Sequence, residues 1–205
     1  MKVRTEVRRT AILEAAAGLF SEMGYERASM NELARRLGGS KATLYGYFAS
    51  KEELFVAVVE SYATANLRKA AQDLALVEQE PATLESRLIK FGERMLAVLV
   101  NDKSALAVYR MVIAEAGRSN IGTLFQQSGP AEALKAISAL LARANERGEL
   151  RLIDPDLAAN YFLALVTAET NARLLEQNPQ PLAPQKIRQM VRRAVNMFLL
   201  GAAPR

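Results

Sequence analysis

Apolar residues recur at helical spacing along most of the chain, and the clearest instance is Ser29–Phe48, SMNELARRLGGSKATLYGYF. Met30, Leu33, Ala34 and Leu37 fall on one face of a short predicted helix. Ser29 with Glu32 three residues on makes a Ser-x-x-Glu capping box at its start. Gly38-Gly39 stops it, because glycine accepts the left-handed conformation that ends helices. Ser40 caps a second helix over about Lys41–Tyr47, with Leu44 and Phe48 pointing inward. Helix, glycine turn, helix is the helix-turn-helix arrangement; on spacing alone an ordinary helical hairpin fits equally well.

The same periodicity predicts the flanks. A first helix covers about residues 5–23, with Ile12, Ala15, Ala16, Leu19 and Phe20 inward and Gly24 at its end. Ser50 and Glu53 form a second capping box, opening a long helix through Leu54, Phe55, Val58, Val59 and Tyr62 to the mid-70s. Glu78–Pro81 marks a break, after which Thr83 begins a helix carrying Leu84, Leu88, Phe91 and Met95. Further helices are expected over about Lys103–Ala116, a short Ile121–Gln127 piece, Pro130–Arg147, Pro155–Glu176 and Pro184–Leu200. The expected fold is all-α, with about nine helices plus the short piece. A three-helix domain over residues 1–50, holding the helix-turn-helix, precedes a helical bundle over 51–205, linked by the helix that begins near residue 51.

Composition narrows the chemistry. Half of the 205 residues are hydrophobic, and cysteine and histidine are absent. That removes disulfides, thiolate nucleophiles, histidine triads, the usual zinc sites and a histidine pH switch. No glycine-rich phosphate motif occurs, no cofactor is implied, and carboxylates alone leave acid-base catalysis open. No apolar run is long enough to span a bilayer and residues 1–10 contain no apolar signal core, so the expectation is a cytoplasmic protein without a membrane partner. Net charge is +5, but residues 1–55 carry nine basic groups against seven acids, so charge does not single out this region. The basic tail of Lys2, Arg4, Arg8 and Arg9 is the sharper feature, an arm that fits phosphates or the minor groove.

The stretch from Arg8 to Val59 resembles the DNA-binding domain of the tetracycline-repressor (TetR) family. The likeness rests on the alanine-rich first helix, Gly24-Tyr25, Ser29-Met30, Leu33-Ala34, Gly38, Ser40-Lys41, Thr43-Leu44-Tyr45, Tyr47-Phe48 and Ser50-Lys51-Glu52. Residues 148–159 also resemble the family's effector and dimerisation domains. Two positions depart from the pattern. Gly39 stands where relatives usually carry a valine that packs the turn, implying a less rigid angle between the two helices. Gly46 replaces a larger residue in what the spacing makes the middle of the second helix, at a cost of about 1 kcal/mol relative to alanine.

Within that helix Lys41, Ala42, Thr43, Tyr45, Gly46 and Tyr47 face outward. Lys41 suits a guanine edge or a phosphate, Thr43 a phosphate or a thymine methyl, and the two tyrosines the sugar-phosphate wall. Tyr45, beside Leu44, is the tyrosine expected to share packing with contact. Ser29, Asn31 and Lys51 sit at helix N-termini, where amides and the dipole favour phosphate, and the resemblance implies phosphate binding by Lys51. Arg8 and Arg9 are the arm candidates.

The resemblance further implies a homodimer joined through the last two helices, for which Phe162, Val166, Val191, Val195 and Phe198 are the interface candidates. It implies an effector cavity as well, with Met95, Leu99, Tyr109, Met111, Phe125, Tyr161 and Glu169 as candidate lining and an apolar or aromatic small molecule as ligand. The expected function is a ligand-responsive repressor that binds a palindromic double-stranded operator as a dimer. Two other readings stay open at this point: a helical enzyme or ligand carrier with the motif as scaffold, and an adaptor that grips a protein.

Overall fold

The computed structural model describes residues 2–76, 82–151 and 154–204; the expected break at Glu78–Pro81 lies outside the described residues. Every regular element among them is helical. In chain order these are α1 (Lys2–Met23), α2 (Met30–Arg36), α3 (Lys41–Tyr45), α4 (Lys51–Val59) and α5 (Ala65–Leu76). They continue with α6 (Leu84–Asn101), α7 (Lys103–Glu115), α8 (Ile121–Gln127), α9 (Pro130–Glu146), α10 (Pro155–Thr167) and α11 (Pro184–Ala202). The chain packs as two units: residues up to Ala65 with Ser104–Ser128, and Asn66–Lys103 with the chain from Gly129 onward.

In the first unit α1, α2, α3 and α4 close around Ile12, Leu19, Phe20, Leu33, Leu44, Phe48, Leu54 and Val58, all nearly sealed from solvent. Phe20, Tyr25 and Phe55 form an aromatic cluster with ring centroids 5.2–5.9 Å apart. The same core takes in Val108, Met111 and Val112 of α7 and Ile121 and Phe125 of α8. The expected long helix from Lys51 does run to Leu76, but through one π-helical turn, Glu60–Thr64. There the buried Thr64 hydroxyl donates to the Ser128 carbonyl at 2.6 Å and also lies 3.5 Å from the Val59 carbonyl of its own helix, a local contact that competes with the regular ladder.

The second unit buries Leu88, Phe91 and Leu96 of α6, Ile137, Leu140 and Leu141 of α9, Phe162 and Val166 of α10, and Val191, Val195 and Phe198 of α11. Gly92 lets α6 and α11 approach closely, since a Cβ there would lie 2.8 Å from Val191 Cγ1. Asp154 caps α10 as expected, accepting from the Asp156 and Leu157 amides at 2.9 and 3.1 Å, with Pro155 in the first turn. The helix expected to reach Glu176 is α-helical only to Thr167 and continues as a 3₁₀ segment, Ala168–Leu175. The Thr167 hydroxyl donates to the Leu163 carbonyl and that of Thr170 to the Thr167 carbonyl, within the stretch where the ladder changes. The following proline-rich connector is fixed by Asn101, whose side chain both donates to and accepts from the Leu182 backbone at 2.8 Å.

Candidate nucleic-acid interface

The interface is built from three serine caps and one glycine turn. Ser29 Oγ accepts from the Glu32 amide at 3.2 Å, Ser40 Oγ from Thr43 at 3.0 Å and Ser50 Oγ from Glu53 at 3.0 Å, fixing the starts of α2, α3 and α4. Glu53 reaches back one residue beyond the cap, accepting from the Ala49 amide at 2.7 Å. The first box stays half-formed. Glu32 instead accepts from Arg35 at 2.9 and 2.8 Å and from Arg36 at 3.1 Å, because charged donors outbid a backbone amide for a carboxylate. Hydrogen bonds from Arg35 and then Arg36 hold the Glu32 carboxyl down at about 2. Arg36 also bridges to Glu22 at 2.8 Å, so the two arginines of α2 are engaged within the domain.

Between α2 and α3 the chain turns through Gly38 at φ +60°, the left-handed conformation that favours glycine. Gly38 N donates to the Arg35 carbonyl at 3.2 Å and Gly39 N to the Ala34 carbonyl at 3.1 Å, the paired bonds of a Schellman cap. The turn then presents α3, a single five-residue helix whose Leu44 is buried below. Lys41, Ala42, Thr43, Tyr45 and Gly46 are exposed on it. Lys41 Nζ lies 5.6 Å from the Tyr45 ring centroid, one helical turn away, and the Thr43 hydroxyl shares a 2.8 Å bond with Ser40 Oγ. Ser29 and Asn31 are exposed at the start of α2.

Several expectations change on this geometry. The helix α3 ends at Tyr45, so Gly46 is its cap rather than a mid-helix residue and carries no interior penalty. The two tyrosines exchange roles: Tyr45 is exposed, whereas Tyr47, beyond the cap, is half-buried against the core. The basic N-terminus is not a free arm, since α1 is helical from Lys2. Arg8 Nη2 donates to the Leu37 carbonyl at 3.4 Å and the Arg9 guanidinium sits 5.2 Å from the Phe48 ring centroid, so both lean on the helix-turn-helix. Lys51 is also turned inward. Its ammonium lies 4.3 Å from the Tyr25 ring centroid and donates to the Tyr25 and Glu26 carbonyls at 3.1 and 3.4 Å. Burial, and then the Glu52 charge, push the Tyr25 hydroxyl far up, so the ring under Lys51 is a neutral phenol. An ammonium has three donors, so one remains for a phosphate.

The interface candidates in the second unit lie mostly inward: Phe162, Val166, Val191 and Val195 are sealed in their own unit's core, and Phe198, also packed there, shows an edge to a surface groove. The apolar side chains left outside on α10 and α11 are Leu157, Tyr161, Met197 and Leu200, at 46%, 58%, 64% and 72% exposure. A groove of about 780 Å³ runs along Leu157, Tyr161 and Met197, with Leu165 and Phe198 also lining it. The signal was present in the spacing: Leu157, Tyr161 and Leu165 form one stripe, and Met197 with Leu200 continues one on the last helix.

The effector candidates are divided between the two units. Met95 and Leu99 pack on the second core, whereas Met111 and Phe125 are buried in the first, with the Tyr109 ring 5.8 Å from that of Phe125. Tyr161 is exposed, and Glu169 pairs with Arg193 at 2.6 Å, whose hydrogen bond holds it below the usual carboxylate range. A separate cleft of about 60 Å³, lined by Leu74, Phe91, Arg87, Lys90 and Arg94, opens between α5 and α6. Among the described residues no cluster suited to a metal ion occurs, and no helix is long and apolar enough to cross a membrane.

A capped helix, a Schellman turn and a short exposed second helix, seated on a three-helix core, define a helix-turn-helix DNA-binding protein. Residues 12–58 match the family model for bacterial regulatory proteins of the tetR family, and residues 86–201 match that for the C-terminal domain of AefR-like transcriptional repressors. The chain belongs to the TetR family of transcriptional regulators. It is 30% identical over 159 residues to the A-factor receptor protein of Streptomyces griseus, covering 77% of this chain and 51% of that protein. It is 33% identical over 102 residues to the regulator UidR of Escherichia coli K12, covering 48% and 52%. The chain thus spans about half the length of these curated relatives. Among known structures it is similar to the flavonoid-responsive regulator FrrA, with 29% identity, a TM-score of 0.73 and coverage of 98% and 99% of the two chains.

Proposed function

We propose that this chain is a repressor that binds a palindromic operator as a homodimer and leaves it when a small apolar or aromatic molecule binds. It is a regulator without catalytic activity of its own, working in the cytoplasm. The observation that carries the dimer is the set of outward apolar side chains on α10 and α11, with Leu157, Tyr161 and Met197 along the groove and Leu200 exposed beside it on α11. A helix that is apolar outside as well as inside has a second face to bury, and a second copy of this chain offers the same face, as an isologous interface requires. One helix-turn-helix reads only a few base pairs, so two are set about one helical turn apart, roughly 34–36 Å.

On DNA, Lys41 and Asn31 supply base-edge donors. Thr43, Tyr45, Ser29 and the remaining donor of Lys51 hold phosphates, and Ala42 and Gly46 allow close approach. The division of labour follows the sequence, with residues 1–50 for DNA and residues 51–205 for effector and partner. The names of two relatives, a receptor for A-factor and a flavonoid-responsive regulator, support a small-molecule effector. The cleft between α5 and α6 holds about 60 Å³, well below the few hundred Å³ of a typical ligand site. The test is light scattering with duplex binding: a dimer that retains a palindromic duplex over random duplex supports the reading, and a monomer with no such preference overturns it.

A further inference from the structure

We propose that Arg8 is a positioning residue of the DNA reader, one whose guanidinium, reaching from α1, occupies the space of a side chain at Gly39 and sets the turn between α2 and α3. The two glycines of that turn are present for different reasons. Gly38 has φ +60° and open space around a Cβ, so its conformation is what favours glycine. Gly39 has no such backbone constraint, but a Cβ there would lie 3.0 Å from Arg8 Nη2. The same nitrogen donates to the Leu37 carbonyl, 29 residues away, at the C-terminal end of α2. A cation at that end also meets the negative pole of the helix. On the next residue Arg9 packs over Phe48, which immediately precedes the α4 cap region. Two consecutive α1 cations thus hold the reader from opposite ends, and the vacancy at position 39 is filled from α1 rather than from the turn itself.

The inference rests on the DNA-reading assignment above, and the test separates the two. Full-length wild type, R8A, G39A and R8A/G39A are compared for binding to the palindromic duplex selected by the wild type and to random duplex, across a salt series. For a positioning residue, R8A loses about ten-fold in preference for the palindrome, while the log–log salt slope stays at the wild-type value. G39A, whose methyl group lies 3.0 Å from the guanidinium and makes it shift by a few tenths of an ångström, loses part of that preference, and the double variant loses no more than R8A alone. A slope reduced by about 0.9 in R8A would make Arg8 a phosphate contact and overturn the proposal. So would losses that multiply in the double variant, since the two positions would then act independently. Wild type with no preference for any duplex would instead defeat the DNA-reading assignment itself. Melting curves of all four proteins check that each variant is compared in its folded form, and an R8A that retains full preference overturns the proposal.

Discussion

Met197 gives the most quantitative access to the dimer. It lies on α11 with 64% of its surface open, along the groove it shares with Leu157 and Tyr161. Fully burying a methionine side chain stabilises by about 1.5–3 kcal/mol, and roughly two-thirds of that burial is still available at this position. Met197→Ala therefore removes about 1–2 kcal/mol per protomer. The interface is isologous, so the substitution counts twice and weakens the dimer by about 2–4 kcal/mol, roughly thirty-fold to several-hundred-fold in dissociation constant. Met197→Glu goes further, because a carboxylate buried without a partner opposes association directly. Sedimentation velocity over a concentration series reads the shift. Leu175→Ala is the control, since Leu175 is 90% exposed on the 3₁₀ segment, away from the groove. Wild-type dimerisation in both Met197 variants, or equal weakening by Leu175→Ala, would refute the assignment of this face.

Other expected outcomes follow from single contacts. Leu44→Ala removes the buried anchor of α3 and destabilises the domain by about 2–5 kcal/mol, visible as a lower thermal midpoint with loss of duplex binding. Gly38→Ala forces an ordinary residue into φ +60° and costs about 1–2 kcal/mol, again read by melting. Glu32 titrates at about 2 in the folded chain against an ordinary 4.5, so its pairs with Arg35 and Arg36 stabilise above the unfolded value and fade as pH falls through the folded one. The melting difference between wild type and Glu32→Gln is accordingly full at pH 6 and vanishes as pH falls towards about 2; a difference independent of pH contradicts the pairing. Lys51→Ala weakens binding to all duplexes alike, whereas Lys41→Ala relaxes preference at one base position in a binding-site selection.

How far the sequence could be read depends on the range of the interaction. Caps and glycine stops are local, so Ser29, Ser40, Ser50, Gly38 and Asp154 mark their helix ends in sequence and in structure alike. The motif itself was legible for the same reason, helped by a fifty-residue resemblance. What local pattern could not supply was competition between partners. Glu32 has a capping amide behind it and two arginines ahead, and only the packed structure decides for the arginines. Arg8 and Arg9 read as an arm for phosphates or the minor groove because nothing in their neighbourhood of sequence reveals Leu37 or Phe48. On α10 the periodicity gives two apolar stripes without saying which faces inward. Phe162 and Val166 were taken by the protomer's own core, leaving Leu157 and Tyr161 outside. Methionines and aromatics such as Met95, Met111 and Phe125 do not mark an effector lining by themselves, since such residues fill any core.

The most direct test of the account is selection of bound sequences from a random duplex library by the full-length protein, followed by titration of the winner across a salt series. The account predicts an inverted repeat with half-site centres about one helical turn apart, retained by a dimer. Its affinity falls linearly on a log–log plot against salt and stays at least about a thousand-fold above that for random duplex. Enrichment of no inverted repeat, or equal affinity for selected and random duplex at every salt concentration, would contradict it.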